Sequence, residues 1–292
     1  MFAGTHTAIV TPFRNGQIDD ASLKRLIDFQ FNSGVQGIVP CGTTGESPTL
    51  DYEEHERVIK LSIQYAAGRG LVMAGTGSNS TREAIEITQQ AEAAGANAAL
   101  LVAPYYNKPT PEGVFRHFKA IAESTRLPIM LYSIPGRCGI EIAVETVVRL
   151  AAACPNIRAI KEAGGSTERV SQMKHALPEE FEILSGDDSL TLPFMSVGAV
   201  GVVSVAGNLI PREMNHLVQA ALQGKWDDAR RVHEKFYPLF AAFLKLSTNP
   251  IPIKAALALK GICDGSLRLP MCEMGDAQIA ELKSTMQNLG LL

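Results

Sequence analysis

The chain has 292 residues, 46 % of them apolar and 20 % charged, with a formal net charge of −3. That is ordinary composition for a globular chain with a sizeable core. It contains no basic run or arginine-rich arm of the kind that meets nucleic acid or anionic lipid, so neither is expected as a partner.

Strand and helix signals then alternate along the chain. Residues 6–13 (HTAIVTPF) read as a strand, and 21–34 carry apolar residues at helical spacing up to a glycine stop. A strand at 37–42 precedes a helix over 51–67, whose Asp51 and Glu54 suit a capping box. A strand at 71–77 precedes a helix opened by Ser80 and Glu83 and closed by Gly95. The strand 97–104 precedes a helix with Thr110 as N-cap and Pro111 at its first position. Strands at 127–134, 157–163, 181–187 and 201–207 are followed by helices over about 143–153, 167–176, 189–197 and 211–223. Residues 189–211 carry no charge over 23 positions, long enough to cross a bilayer. Pro193, Pro211, Asn208 and three glycines instead indicate a buried helix followed by a buried strand.

Eight strand-then-helix units predict a parallel sheet, and eight close best into an α/β fold of the (β/α)8 TIM-barrel type. No G-x-G-x-x-G follows the first strand, which removes the usual dinucleotide signal. From Trp226 onward the strands stop. The expected organisation is a catalytic barrel over 1–225 and a helical extension over 226–292.

Five scattered cysteines without a C-x-x-C, and six histidines without an H-x-x-x-H, argue against a disulfide framework or a bound metal. They favour a reducing compartment, so a cytoplasmic location is expected. The first residues, MFAGTHTAIV, lack the layout of a signal peptide.

In a barrel of this type the site lies at the C-terminal ends of the strands. Those ends carry CGTTGES (41–47), GTGSN (75–79), PYYN (104–107), YSIPGR (132–137), IKEAGG (160–165) and SGDD (185–188). They hold hydroxyls, phenols and glycines but not the acidic cluster of a magnesium site. Nothing near the last two strands reads as a phosphate cradle, so an unphosphorylated substrate is expected.

Lys161 is the one lysine of twelve inside an expected barrel strand. Ion pairing to Glu162 is the structural alternative, but adjacent strand residues point to opposite faces. At its reference pKa near 10.4 a lysine is only about 0.1 % free base at neutral pH. An apolar barrel favours the neutral amine and can bring the pKa to roughly 7–8. A neutral amine attacks a ketone and forms a Schiff base, an electron sink for carbon–carbon bond chemistry.

From AIVTPF through GTTGES, PYYN, YSIPGR, IKEA and LSGDD to NPIPIK, the chain resembles the pyruvate-dependent class I aldolases of the dihydrodipicolinate synthase/N-acetylneuraminate lyase family. The resemblance runs nearly end to end. It implies that Lys161 forms an imine with pyruvate and needs no cofactor. It implies that Tyr132 shuttles protons and that Thr43 links Tyr132 to Tyr106 of a neighbouring subunit. By the same resemblance, Thr44 holds the pyruvate carboxylate and Arg137 the carboxylate of an incoming aldehyde. Gly186 and Val203 line the site through backbone. Glu46 is read as structural, accepting loop N–H bonds. Ser133 and Cys138 depart from the family, which often has Asn or Asp at the first position and Thr at the second.

The implied reaction is condensation of pyruvate with L-aspartate 4-semialdehyde on the route to diaminopimelate and lysine. A sibling aldolase or dehydratase acting on sialic acid or 2-keto-3-deoxy sugar acids would keep Lys161 and Tyr132. It would usually have Ser at the Thr43 position and lack Arg137. A non-catalytic small-molecule binder would need neither nucleophile nor relay. The family implies a homotetramer built as a dimer of dimers. In some members L-lysine binds at the dimer interface; the matching positions are Pro48, Tyr52, His55, Gly77, Asn79, Glu83 and Tyr105. Tyr52 stands where some lysine-sensitive members have histidine, and Pro48 removes a backbone donor.

Overall fold

The computed structural model describes residues 1–292. The chain begins with β1 (Gly4–Ala8), an antiparallel hairpin of β2 (Phe13–Arg14) and β3 (Gln17–Ile18), and α1 (Asp20–Asn32). There follow β4 (Gly37–Val39), α2 (Tyr52–Ala66), β5 (Leu71–Gly75), α3 (Thr81–Ala94), β6 (Ala98–Val102), α4 (Pro111–Glu123) and β7 (Ile129–Ser133). Next come α5 (Pro135–Cys138), α6 (Val144–Ala153), β8 (Ile157–Glu162), α7 (Thr167–Ala176), β9 (Glu182–Ser185), α8 (Thr191–Ser196), β10 (Gly201–Ser204) and α9 (Pro211–Leu222). Strand β1 pairs with both β4 and β10, so β1 and β4 to β10 close into a parallel eight-stranded barrel wrapped by helices. Three more helices end the chain: α10 (Trp226–Lys245), which packs along α9, α11 (Ile251–Leu259) and α12 (Asp276–Asn288).

Strand alternation sorts the core into two layers. Ala8, Val39, Met73, Leu100, Met130, Ala159, Leu184 and Val203 form an inner cluster. Ile38, Val72, Leu101, Leu131, Ile160 and Ile183 join the outer cluster between sheet and helices. Because Ala159 faces inward and Ile160 outward, Lys161 returns to the lumen.

The expected strand at 6–13 is two elements. It stops at Ala8, and Pro12, which has no N–H to donate to a ladder, precedes the β2–β3 hairpin. That hairpin turns on Asn15 and Gly16, both at positive φ (52° and 77°), as a two-residue primed turn requires. The Asp51–Glu54 capping box is present. The Ser80–Glu83 box is only half made. Ser80 Oγ accepts the Glu83 N–H, but the Ser80 N–H goes to Ser78 Oγ at 3.1 Å, and the Ser78 hydroxyl donates to the Glu83 carboxylate at 2.9 Å. Thr110 and Pro111 open α4 as expected. The uncharged stretch from 189 resolves into α8, β10 and the start of α9, and no helix is long and apolar enough to cross a membrane.

Candidate active site

The register of β7 against β8 places Tyr132 beside Lys161 at the C-terminal end of the barrel. Both are buried, 6 % and 5 % exposed, and Lys161 Nζ lies 4.1 Å from the centroid of the Tyr132 ring. Burial is the main influence on the amine and lowers its pKa to about 8; the Arg137 cation acts in the same direction, while the Asp187 and Asp188 carboxylates oppose it. At pH 7 roughly a tenth of Lys161 is then the free base. Burial raises the Tyr132 phenol well above its ordinary value, with Asp187 adding to the effect, so the phenol stays protonated at neutral pH. Thr43, on the turn after β4, is near enough to that phenol to oppose the rise.

Glu162, the neighbour of Lys161, points out of the barrel. Its carboxylate accepts from Arg169 Nε at 2.9 Å and from the Gly164 N–H at 2.7 Å. Lys161 is therefore free of the ion pair that the sequence offered as its alternative role. Gly186 is required by packing against the lysine stem. A Cβ there would lie 3.1 Å from Lys161 Cε and 2.7 Å from Ala163 Cβ. Its N–H donates to the Glu162 carbonyl at 2.7 Å, tying β9 to the end of β8. Val203 belongs to the inner cluster on β10.

Two acidic residues that sequence reasoning quoted but did not assign stand close enough to act on Lys161. Asp188 is buried and accepts from Ser204 Oγ and from the N–H groups of Val205 and Ala206, at 3.2 and 2.8 Å. Burial raises the carboxyl pKa of both Asp187 and Asp188, and the Lys161 cation opposes this in each.

Thr44 is buried, and its Oγ1 accepts from Asn249 Nδ2 at 3.0 Å. Arg137, on the short helix α5 at the barrel mouth, donates through Nη2 to Thr248 Oγ1 and to the Asn249 carbonyl. Glu46 does accept a loop N–H, that of Arg268 at 3.0 Å, but its main partner is the buried ammonium of Lys254. Sequence reasoning missed Asn249 and Lys254. Lys254 carried a signal, a lysine within the apolar helix run IPIKAALAL; Asn249 carried none beyond heading the motif NPIPIK.

Tyr106 does not join this group. Its side chain is 89 % exposed, and its backbone φ is +72°. The positions matched to a lysine site lie on the turns after β4, β5 and β6 and on the first turns of α2 and α3. Asn79 Nδ2 donates to the Tyr105 carbonyl at 3.1 Å, Tyr52 is exposed and His55 is buried. Gly77 is held to glycine by the close approach of Val102, whose N would lie 2.4 Å from a Cβ. Pro48 sits in the single 3-10 turn that leads into α2. No group of three or more His, Cys, Asp or Glu side chains is arranged to hold a metal ion.

The sequence pattern of the Dihydrodipicolinate synthetase family matches residues 1–289. A protein of Pelobacter propionicus named 4-hydroxy-tetrahydrodipicolinate synthase is 48 % identical over the full length of both chains. The solved structure of the 4-hydroxy-tetrahydrodipicolinate synthase from Methylacidiphilum fumariolicum SolV superposes with a TM-score of 0.98 at 55 % identity, covering 99 % of this chain and 96 % of that one. A crystal structure from Cyanidioschyzon merolae with lysine bound has a TM-score of 0.97 at 41 % identity, covering 100 % of this chain and 99 % of that one.

Proposed function

The chain belongs to the dihydrodipicolinate synthetase family, and we propose that it works through an imine between Lys161 and pyruvate. The reaction condenses pyruvate with L-aspartate 4-semialdehyde to 4-hydroxy-tetrahydrodipicolinate, in the biosynthesis of diaminopimelate and lysine. The observation that carries the mechanism is a lysine buried at the end of a barrel strand with its Nζ 4.1 Å from the ring of a buried phenol, where burial lowers the pKa of the amine.

The neutral Lys161 amine attacks the pyruvate ketone, and the carbinolamine loses water to give the imine. Tyr132 donates the proton that departs with that water and is reprotonated through the neighbouring Thr43 hydroxyl. The protonated imine draws electrons from the pyruvate methyl group, which loses a proton to become an enamine. The enamine carbon attacks the aldehyde, and the substrate amine then displaces Lys161 as the ring closes. The imine is itself the electron sink, so no cofactor enters the scheme. Thr44 binds the pyruvate carboxylate through its hydroxyl and N–H. Arg137 takes the aldehyde's carboxylate, which a guanidinium fits bidentately. Gly186 and Val203 bound the cavity through backbone.

The exposed Tyr106 serves the relay of a neighbouring subunit, which makes a tight dimer the smallest catalytic unit and a dimer of dimers the assembly. L-lysine binds at the same interface on Pro48, Tyr52, His55, Gly77, Asn79, Glu83 and Tyr105. The Glu83 carboxylate meets its α-ammonium, and Asn79 links the site to Tyr105, next to Tyr106. The lysine-bound relative supports this reading.

Borohydride added with pyruvate is expected to place one pyruvate-sized mass on Lys161. Label on another peptide, or none, overturns the mechanism.

A further inference from the structure

The motif NPIPIK (249–254) was part of the family resemblance, yet the chemistry above gives it no role. In the fold its two ends hold the turn after β4 that carries Thr43 and Thr44. Asn249 Nδ2 donates to Thr44 Oγ1 at 3.0 Å. Five residues on, the Lys254 ammonium donates to Glu46, two residues beyond Thr44, and to the Ser266 carbonyl at 2.7 Å. The turn needs such support, because Cys41 and Glu46 both sit at positive φ (56° and 55°), a region that disfavours side chains. Asn249 also reaches the other subsite. Its carbonyl accepts from Arg137 Nη2 at 2.9 Å, and Thr248 Oγ1 accepts from the same nitrogen at 3.1 Å.

We infer that Asn249 is a positioning residue for both substrate carboxylates, orienting Thr44 through its side chain and Arg137 through its backbone. The inference rests on the roles proposed for Thr44 and Arg137. A hydroxyl has one proton. While Thr44 Oγ1 accepts from Asn249, that proton is left to donate, and a carboxylate is the acceptor it suits. The guanidinium, with one nitrogen anchored on residues 248 and 249, keeps its remaining N–H groups for the second carboxylate. Asn249 Oδ1 has no partner within the protein, so the amide's one side-chain bond is the one to Thr44. Removing the amide deletes that unpartnered acceptor as well.

The test uses the purified enzyme and two readouts: the pyruvate concentration that half-saturates borohydride trapping on Lys161, and the KM for the aldehyde. Asn249→Ala is expected to raise half-saturation by pyruvate about three- to tenfold, the range of one lost hydrogen bond, with the melting temperature nearly unchanged. Asn249→Asp, though nearly isosteric, is expected to raise it further. A carboxylate at 249 captures the Thr44 proton and repels the pyruvate carboxylate. Thr248→Val is expected to raise the aldehyde KM about threefold and leave pyruvate trapping alone. A purely structural residue would give the reverse order, Asp milder than Ala, with both variants less stable. That order, or wild-type half-saturation in Asn249→Ala, overturns the inference. A wild-type enzyme that traps no pyruvate overturns the imine mechanism and this inference with it, whereas normal wild-type trapping with unshifted Asn249 variants overturns this inference alone.

Discussion

Lys161 Nζ lies 4.1 Å from the centroid of the Tyr132 ring, on adjacent strands whose register sets the two residues side by side. The proposed nucleophile and proton donor are thus fixed by backbone hydrogen bonds of the barrel itself, since both lie within strands. Burial gives the pair opposite tendencies, an amine that gives up its proton easily and a phenol that keeps its own.

The lowered pKa of Lys161 has a stability consequence. With a folded value of about 8 and an unfolded value near 10.4, the unfolded chain binds the extra proton between those limits. Stability therefore rises with pH across that window, and the full desolvation cost is present below about pH 8. Lys161→Met is expected to stabilise the fold at pH 7 by about 3 kcal/mol, with the gain fading as pH passes from 8 to 10. Denaturant titrations of both proteins at three pH values check this; a pH-independent difference contradicts it.

Gly186→Ala forces a methyl group to 2.7 Å from Ala163 Cβ, too close to accept it, and to 3.1 Å from Lys161 Cε, so the lysine stem must shift. Imine formation is expected to fall at least a hundredfold, with a stability loss of about 1–3 kcal/mol from overpacking. Trapping kinetics and thermal unfolding measure the two effects. Normal trapping would mean that Lys161 has room to move.

The Glu46–Lys254 pair is fully buried, 1 % and 0 % exposed. Lys254→Met leaves the Glu46 carboxylate buried and uncompensated, at a cost of about 3–5 kcal/mol. The double variant Glu46→Gln, Lys254→Met removes both charges and is expected to recover at least half of that. Urea unfolding at one fixed protein concentration tests this, and an equally destabilised double variant would refute the charge argument.

Tyr106→Phe and Lys161→Ala homodimers are each expected to be nearly inactive. Mixed under subunit exchange, heterodimers carry one site with both groups intact, and activity should return to about a quarter of wild type. Mixtures that stay inactive would place Tyr106 in the relay of its own chain.

Millimolar L-lysine is expected to inhibit partially and without competing with pyruvate. Glu83→Gln should weaken the effect about tenfold through loss of a charge-assisted contact. Initial rates at several lysine concentrations decide it; no inhibition removes the regulatory site and leaves the catalytic one standing.

Much of the molecule was legible in order of residues. Apolar runs such as GVVSVAG and NAALLVAP are strands because both faces are covered. Capping signals at Asp51 and Thr110 work within one helical turn, so they can be read locally. Lys161 stood out because strand alternation aims it inward, and alternation is a property of the backbone alone. The hairpin at Phe13–Ile18 was also written locally, in Asn15–Gly16, just past the end of the expected strand 6–13.

What tertiary structure decided is everything that depends on residues far apart in the chain. Asn249 reaches Thr44 across 205 positions and Lys254 reaches Glu46 across 208, so the helical extension holds the turn that carries Thr43 and Thr44. Asp188 gains its donors from Ser204, Val205 and Ala206 on the next strand and its turn. Neither pattern has a period or a spacing to detect. Local structure follows from backbone geometry, which repeats every two or 3.6 residues, whereas satisfying a buried polar group requires only a partner within about 3 Å, wherever barrel closure happens to bring one.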